Sequence, residues 1–170
     1  LIVNAFDHWK RQQMYNKTED NIRVVENIKV IIDDQQLIGM NEGDGIDIEN
    51  IPKHNKYPVE LMFVTLLTST NYDDTENREW GGRNGYGAKL ANIFSLEMTV
   101  ETVDANRKLK YIQTFTNNMK DKTKPNITKC TKSPYTKITW KPDFKRFNMT
   151  NIDDAHMSLL KKRVDDIACL

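Results

Sequence analysis

Cysteine is scarce in this sequence, with only Cys130 and Cys169 among 170 residues. Neither has the partners, at the right spacing, that a structural zinc site requires. Two isolated cysteines also cannot build the disulfide framework of a small secreted domain. We therefore expect reduced thiols and an intracellular protein.

Long apolar runs and an excess of one charge are also missing. No stretch has the character of a signal peptide or a membrane span, so we expect no membrane partner. The 25 basic and 24 acidic residues leave a formal net charge of +1. Such a balance gives no general attraction to nucleic acid, so any contact with DNA would have to be local.

The residues that are present suffice for one folded domain with a core. Hydrophobic residues make up 38% of the chain and charged residues 29%, as in ordinary globular domains. The first residue, Leu1, is not Met, and apolar residues recur at helical spacing from the start. We expect residues 1–170 to be a single-domain fragment of a longer protein, incomplete at its N-terminus.

The order of hydrophobic patterns predicts an α+β fold. A helix is expected near residues 1–11, a strand pair at 27–41, helices at 58–67 and 85–94, a hairpin at 96–117, a strand at 133–143 and a helix at 153–170. The lysine-rich residues 120–132 are expected to form an exposed loop. This order favours a two-layer α/β sandwich with a mixed, mainly antiparallel sheet.

Residues 82–91, GRNGYGAKLA, combine three glycines with an arginine and a lysine. They are not a P-loop, because Ala88 precedes Lys89 and no hydroxyl follows. The dinucleotide fingerprint also fails, because Leu90 stands at the third glycine position. Glycines nevertheless let backbone N–H groups approach an anion, and a following helix N-terminus favours negative charge. Taken alone, this segment is as compatible with a glycine turn as with a phosphate-binding loop.

Three more positions offer groups that an adenine nucleotide needs. Asn41 precedes a Gly-x-Gly turn, and its amide can both donate to and accept from an adenine edge. Asn4 could give a carbonyl oxygen to Mg²⁺, and Thr136 a further hydroxyl. Each also has an ordinary explanation, such as a solvent-facing helix position for Asn4.

In combination, the segments VNAFD, NEGDGI, LLTSTNYDD, GGRNGYGAK and YTKITWKPD resemble the ATPase domain of eukaryotic-type type IIA DNA topoisomerases. The resemblance covers residues 1–143 in order. It implies the Bergerat-type ATP-binding fold of the GHKL superfamily, which is shared with gyrase, MutL, Hsp90-type chaperones and sensor histidine kinases. The GGRNGYGAK string is specific to the topoisomerase branch.

The resemblance implies ATP and Mg²⁺ as ligands. Asn4 is similar to the family's Mg²⁺-ligating residue, Asn41 to its adenine-recognising residue, and Lys89 to a catalytic lysine at the γ-phosphate. The further nucleotide contacts that it implies are Ser69, Thr70 and Asn71 at ribose and phosphate; Arg83, Asn84, Gly85, Tyr86, Gly87, Ala88 and Lys89 in a lid loop spanning about 68–89; and Thr136 as a strand hydroxyl.

The family's general base is a Glu four residues before the Mg²⁺-binding Asn, on the same helix face. Counting back four from Asn4 reaches the position just before Leu1. The transducer domain, the DNA-cleavage domain and the N-terminal arm that swaps between subunits are not represented either. We therefore expect these 170 residues alone to bind ATP weakly, to hydrolyse it negligibly and to be mainly monomeric.

For the whole enzyme, the resemblance implies that ATP binding closes a homodimer gate around DNA and that hydrolysis resets it during strand passage. The enzyme would act in the nucleus if cellular, or at a cytoplasmic replication site or in the host nucleus if viral.

His8 and Met40 depart from the residues common in this family, as does Asp44, which suggests a divergent member such as one from a large DNA virus. The alternatives are another ATPase of the superfamily, MutL- or Hsp90-like, and an interaction module that has lost ATP.

Overall fold

The computed structural model describes residues 2–15, 25–65 and 85–169, which form a sheet covered by helices. The helices are α1 (Ile2–Tyr15), α2 (Pro58–Phe63), α3 (Gly87–Ile93) and α4 (Asp154–Ala168), with a 3₁₀ turn at Phe144–Phe147. The strands are β1 (Ile28–Ile32), β2 (Leu37–Glu42), β3 (Ser95–Asp104), β4 (Leu109–Thr116), β5 (Asp121–Lys122), β6 (Asn126–Lys129) and β7 (Tyr135–Pro142). None of the helices in these ranges has the length and apolarity needed to cross a membrane.

The strands form one sheet in the order β1-β2-β7-β3-β4-β5, with β6 also paired to β4. Every pairing between these named strands is antiparallel. The predicted α+β sandwich with a mainly antiparallel sheet is confirmed. The β1–β2 and β3–β4 hairpins expected from the alternating patterns are present as well.

Residues 120–132 differ from the prediction of an exposed loop. They form the short strands β5 and β6, both of which pair with β4. Unpaired backbone groups along β4 would leave an open sheet edge, which these strands cover. Their side chains are mostly exposed, so the sequence pattern carried little sign of strand structure.

Side-chain burial alternates along the strands, which separates a core face of the sheet from a polar face. Val100 on β3 is fully buried, whereas its neighbours Thr99 and Glu101 are only partly buried. On the core face, α2 and α3 cover a cluster formed by Ile48, Val59, Phe63, Ala88, Met98, Val100, Tyr111 and Phe115. Burial of this apolar area is the main stabilising contribution to the fold.

Asp104, at the end of β3, joins two loops through its buried carboxylate. Its Oδ2 accepts a hydrogen bond from the Ile48 backbone N–H at 2.9 Å. Its Oδ1 accepts from the backbone N–H groups of Asn106 at 2.8 Å and Arg107 at 3.1 Å. Burial acts to raise the pKa of Asp104, but these donors and the Arg107 charge outweigh it and hold the pKa below its usual value.

We expect Asp104→Asn to lower the free energy of unfolding at pH 7 by about 1–3 kcal/mol, because an amide nitrogen would face a backbone N–H. A carboxylate with a depressed folded pKa stabilises above the unfolded pKa and loses its effect as pH falls through the folded value. The difference in unfolding free energy between variant and parent should therefore be constant from pH 7 to 5 and become smaller below about pH 4. Urea unfolding at several pH values measures it, and a difference that does not change with pH would contradict this account.

Candidate functional site

A cavity of about 490 Å³ lies between the sheet and α1. Its floor consists of Ile28 and Val30 of β1, Gly39 and Asn41 of β2, and Thr136 and Ile138 of β7. Residues of α1, the glycine turn after β2, the end of α2 and the start of α3 form its walls. A cavity of this size and shape is typical of small-molecule sites.

Cross-strand register explains why the floor residues share a face. Asn41 pairs with Ile28 on one side and with Thr136 on the other. Gly39 pairs in the same way with Val30 and Ile138. Directly opposed residues point to the same side of a sheet, so these two rows lie next to one another beneath α1.

Six of the residues predicted from the sequence to contact nucleotide line this one cavity: Asn4, Asn41, Gly85, Gly87, Ala88 and Thr136. Lys89 and Tyr86 are sequence neighbours of these lining residues but do not line the cavity themselves. Ser69, Thr70, Asn71, Arg83 and Asn84 lie outside the described residues, as does most of the predicted lid. The structure thus brings together residues from α1, β2, β7 and the start of α3.

The orientation of the Asn41 side chain is fixed by the backbone next to it. Its Nδ2 donates to the Glu42 carbonyl oxygen at 2.8 Å. Because a carbonyl oxygen only accepts, the amide oxygen of Asn41 is left as an acceptor. A donor such as the exocyclic amine of adenine is the partner that this acceptor suits.

Thr102, which the sequence analysis did not single out, supports Thr136. Its Oγ1 is fully buried, lies 3.0 Å from the Thr136 Oγ1 and donates to the Tyr135 carbonyl oxygen at 3.0 Å. Having one proton, Thr102 must then accept from Thr136 and from the Ile46 backbone N–H, which is 2.9 Å away. The Thr136 oxygen therefore remains able to accept. Only the β3–β7 pairing reveals this role, since the two threonines are far apart in sequence.

The glycine turn after β2 requires its glycines. Gly43 and Gly45 have φ angles of +114° and +75°, in the region that side chains disfavour. A Cβ on Gly45 would lie 1.9 Å from the Val103 carbonyl oxygen. The turn is thereby packed directly on the end of β3.

We expect Gly45→Ala to lower the free energy of unfolding by at least about 2 kcal/mol, because the clash involves backbone and the φ angle is unfavourable. The matched control is Gly87→Ala, where a Cβ meets nothing within 4 Å and where the residue lies in α3. The control should be neutral or slightly stabilising. Thermal or urea unfolding tests both, and equal effects of the two substitutions would refute the argument.

His8 of α1 lines the cavity beside the glycine turn. A Cβ on Gly43 would lie 2.9 Å from its Nε2. Burial lowers the pKa of His8, and the Arg11 charge lowers it further, against an opposing effect of Asp44. The imidazole is consequently neutral at pH 7, and in this form one ring nitrogen can accept a hydrogen bond.

A histidine with a lowered folded pKa binds its proton more readily when the chain is unfolded. Stability should therefore fall as pH drops below about 6.5, the usual pKa of histidine. We expect His8→Asn to reduce the loss of unfolding free energy between pH 7.5 and 5.5, with the exposed His54→Asn as the control. If the two variants show the same pH dependence, His8 is not the group responsible.

Lys89 is almost completely buried, with 1% of its surface exposed. Its Nζ donates to the Gly85 carbonyl oxygen at 2.8 Å, and burial lowers its pKa. The ammonium thus lies behind the first turn of α3, and Gly85, to which it bonds, lines the cavity. In this arrangement Lys89 stabilises the loop entering α3.

Asn4 is exposed and lines the cavity from α1. Across the described ranges, no group of three His, Cys, Asp or Glu residues could hold a metal ion. A Mg²⁺ ion at Asn4 would therefore need oxygens from a ligand or water, which is how Mg²⁺ is usually held beside phosphates. The donor set fits a metal that arrives with a nucleotide.

No family model matches the chain. Among solved structures, the 43K ATPase domain of Thermus thermophilus gyrase B, in complex with an aminocoumarin, superposes with a TM-score of 0.64 at 20% identity. That superposition covers 96% of this chain and 40% of the gyrase chain. The fold is therefore that of the gyrase-type ATPase domains.

Closer similarity defines the family. The ATPase region of Saccharomyces cerevisiae topoisomerase II superposes with a TM-score of 0.86 at 43% identity, covering 98% of this chain and 42% of the other. DNA topoisomerase 2 of Acanthamoeba polyphaga mimivirus is 51% identical over 170 residues, which is 99% of this chain. The chain is homologous to part of the ATPase region of type II DNA topoisomerases, and the resemblance drawn from the sequence is confirmed. This chain spans 13% of the length of the mimivirus relative.

Proposed function

We propose that this chain binds ATP in the cavity beneath α1, as the ATP-binding part of a type II DNA topoisomerase. The observation that supports the proposal is the convergence of Asn4, Asn41 and Thr136 on a single cavity that also includes the start of α3. These residues come from three separate elements, and the sequence had marked each of them for the same ligand.

The chemistry of the lining fits the parts of a nucleotide. Ile28, Val30 and Ile138 offer an apolar floor for a flat base, and the Asn41 oxygen offers an acceptor at its edge. Backbone N–H groups from Gly85 onward would hold phosphate oxygens, since glycines allow close approach. Asn4 would share Mg²⁺ with those oxygens; when bound, the metal neutralises phosphate charge.

For the whole protein we propose the activity of the family: ATP binding closes a gate between two subunits around DNA, and hydrolysis resets it. The γ-phosphate would make contacts in the closed state that it lacks in the open state, and this difference would couple ATP binding to gate closure. DNA, a second subunit, the transducer and the cleavage domain belong to this proposal, as does an intracellular location.

We further propose that these 170 residues alone hydrolyse ATP negligibly. The acidic residues lining the cavity within the described ranges are Asp7 and Asp47, and no glutamate is among them. Asp7 is buried, and Asp47 forms an ion pair with Arg107 at 2.5 Å, so neither is a free carboxylate of the kind that general-base catalysis requires.

Binding can be tested by titrating a non-hydrolysable ATP analogue into the chain with and without Mg²⁺. We expect Asn41→Ala to weaken binding at least tenfold, or about 1.4 kcal/mol, because it removes the acceptor at the base. The matched control is Asn50→Ala, an exposed residue outside the cavity, which should bind like the parent.

If the parent chain shows no saturable binding, an interaction module that has lost ATP becomes the better explanation. If Asn41→Ala binds like the parent, ATP occupies a different place from the one proposed. DNA relaxation by the longer protein would separate a topoisomerase from other ATPases of the superfamily.

A further inference from the structure

Gly39 lies in the middle of the cavity floor, in the interior of β2. It is flanked by Val30 on β1 and Ile138 on β7, whose side chains line the cavity on either side. Among the six floor residues, Gly39 alone lacks a side chain. The result is an apolar groove, one side chain deep, between two branched residues.

The backbone at Gly39 does not require glycine. Its φ angle is not in the positive region, unlike those of Gly43, Gly45 and Gly85. A Cβ atom placed there would meet no other heavy atom within 4 Å. Glycine weakens a strand interior, and where no bulge or bend calls for it, it commonly marks close approach of a ligand. The groove is therefore open space in the site rather than a packing requirement.

The groove lies next to the expected position of the base edge. Asn41 is two residues further along the same strand face, roughly 6.6 Å away. An adenine that meets the Asn41 oxygen through its amine would have its edge near the groove. Apolar walls favour an apolar occupant, because such a group gains contacts and loses water.

We propose that the groove over Gly39 is a subsite for an apolar substituent on the base, so that this chain accepts adenine nucleotides substituted at N6 or C2. The inference rests on the proposed function, since it requires adenine on this floor. Gly39 is accordingly the residue that determines the size of base that the site admits.

The test measures dissociation constants of the 170-residue chain for ATP, N6-benzyl-ATP and 2-methylthio-ATP. The parent should bind at least one analogue within threefold of ATP. Gly39→Val, which fills the groove with a residue suited to strands, should weaken binding of that analogue at least tenfold more than it weakens binding of ATP. The control is Ile38→Val, on the other face of β2, which should leave all three constants unchanged.

The midpoint temperature of thermal unfolding of Gly39→Val should be no lower than that of the parent. A loss of analogue binding would then be due to the filled groove and not to a loss of folding. If the parent binds ATP but both analogues at least tenfold more weakly, the subsite does not exist. The subsite is also overturned if Gly39→Val leaves analogue binding unchanged, or weakens ATP and the analogue equally. If ATP itself fails to bind the parent, the proposed function fails together with the subsite.

Discussion

β7 pairs with β2 on one side and with β3 on the other, and these two antiparallel ladders hold the site together. They place Asn41, Thr136 and Thr102 in one row across three strands. The Thr102–Thr136 hydrogen bond and the bond from Asn41 to the Glu42 carbonyl oxygen then fix which groups accept and which donate. A slip of one residue in either ladder would turn Asn41 or Thr136 to the opposite face and remove the cavity floor.

Buried polar groups fix the position of the segment that follows the glycine turn. The Asp104 carboxylate and the Thr102 hydroxyl each bind backbone N–H groups of the segment that follows the glycine turn. Gly45 allows the same segment to lie directly on β3. Because buried polar groups without partners cost free energy, this segment has few alternative positions. One wall of the cavity is therefore part of the stable core.

Burial affects the charge of two groups at the cavity, His8 in its lining and Lys89 behind the lining. His8 is kept neutral mainly by burial, and Lys89 is buried with its ammonium on a backbone carbonyl. The hydrogen bond from the Lys89 Nζ to the Gly85 carbonyl oxygen holds the loop that enters α3. The glycine-rich entry to α3, with Gly85 at a positive φ angle, is where backbone N–H groups would meet the phosphate groups of the proposed ligand.

Local patterns in the sequence determined the elements: the β1–β2 and β3–β4 hairpins, α1, α3 and α4, and the class of the fold. Alternation and helical spacing are local properties, so they can be read from short stretches of chain. The same reasoning missed β5 and β6, because exposed lysine-rich strands show no apolar alternation and their pairing depends on β4.

For the site, the sequence marked Asn4, Asn41 and Thr136 through their resemblance to known motifs, without placing them in space. Only the tertiary structure decided that they share one cavity, that Thr102 supports Thr136, and that Lys89 lies behind the lining. It also placed Gly39 in the cavity floor, whereas the sequence shows only a glycine within a strand. The physical reason is that strand register and burial join residues distant in the chain, and neither is encoded within a single short segment.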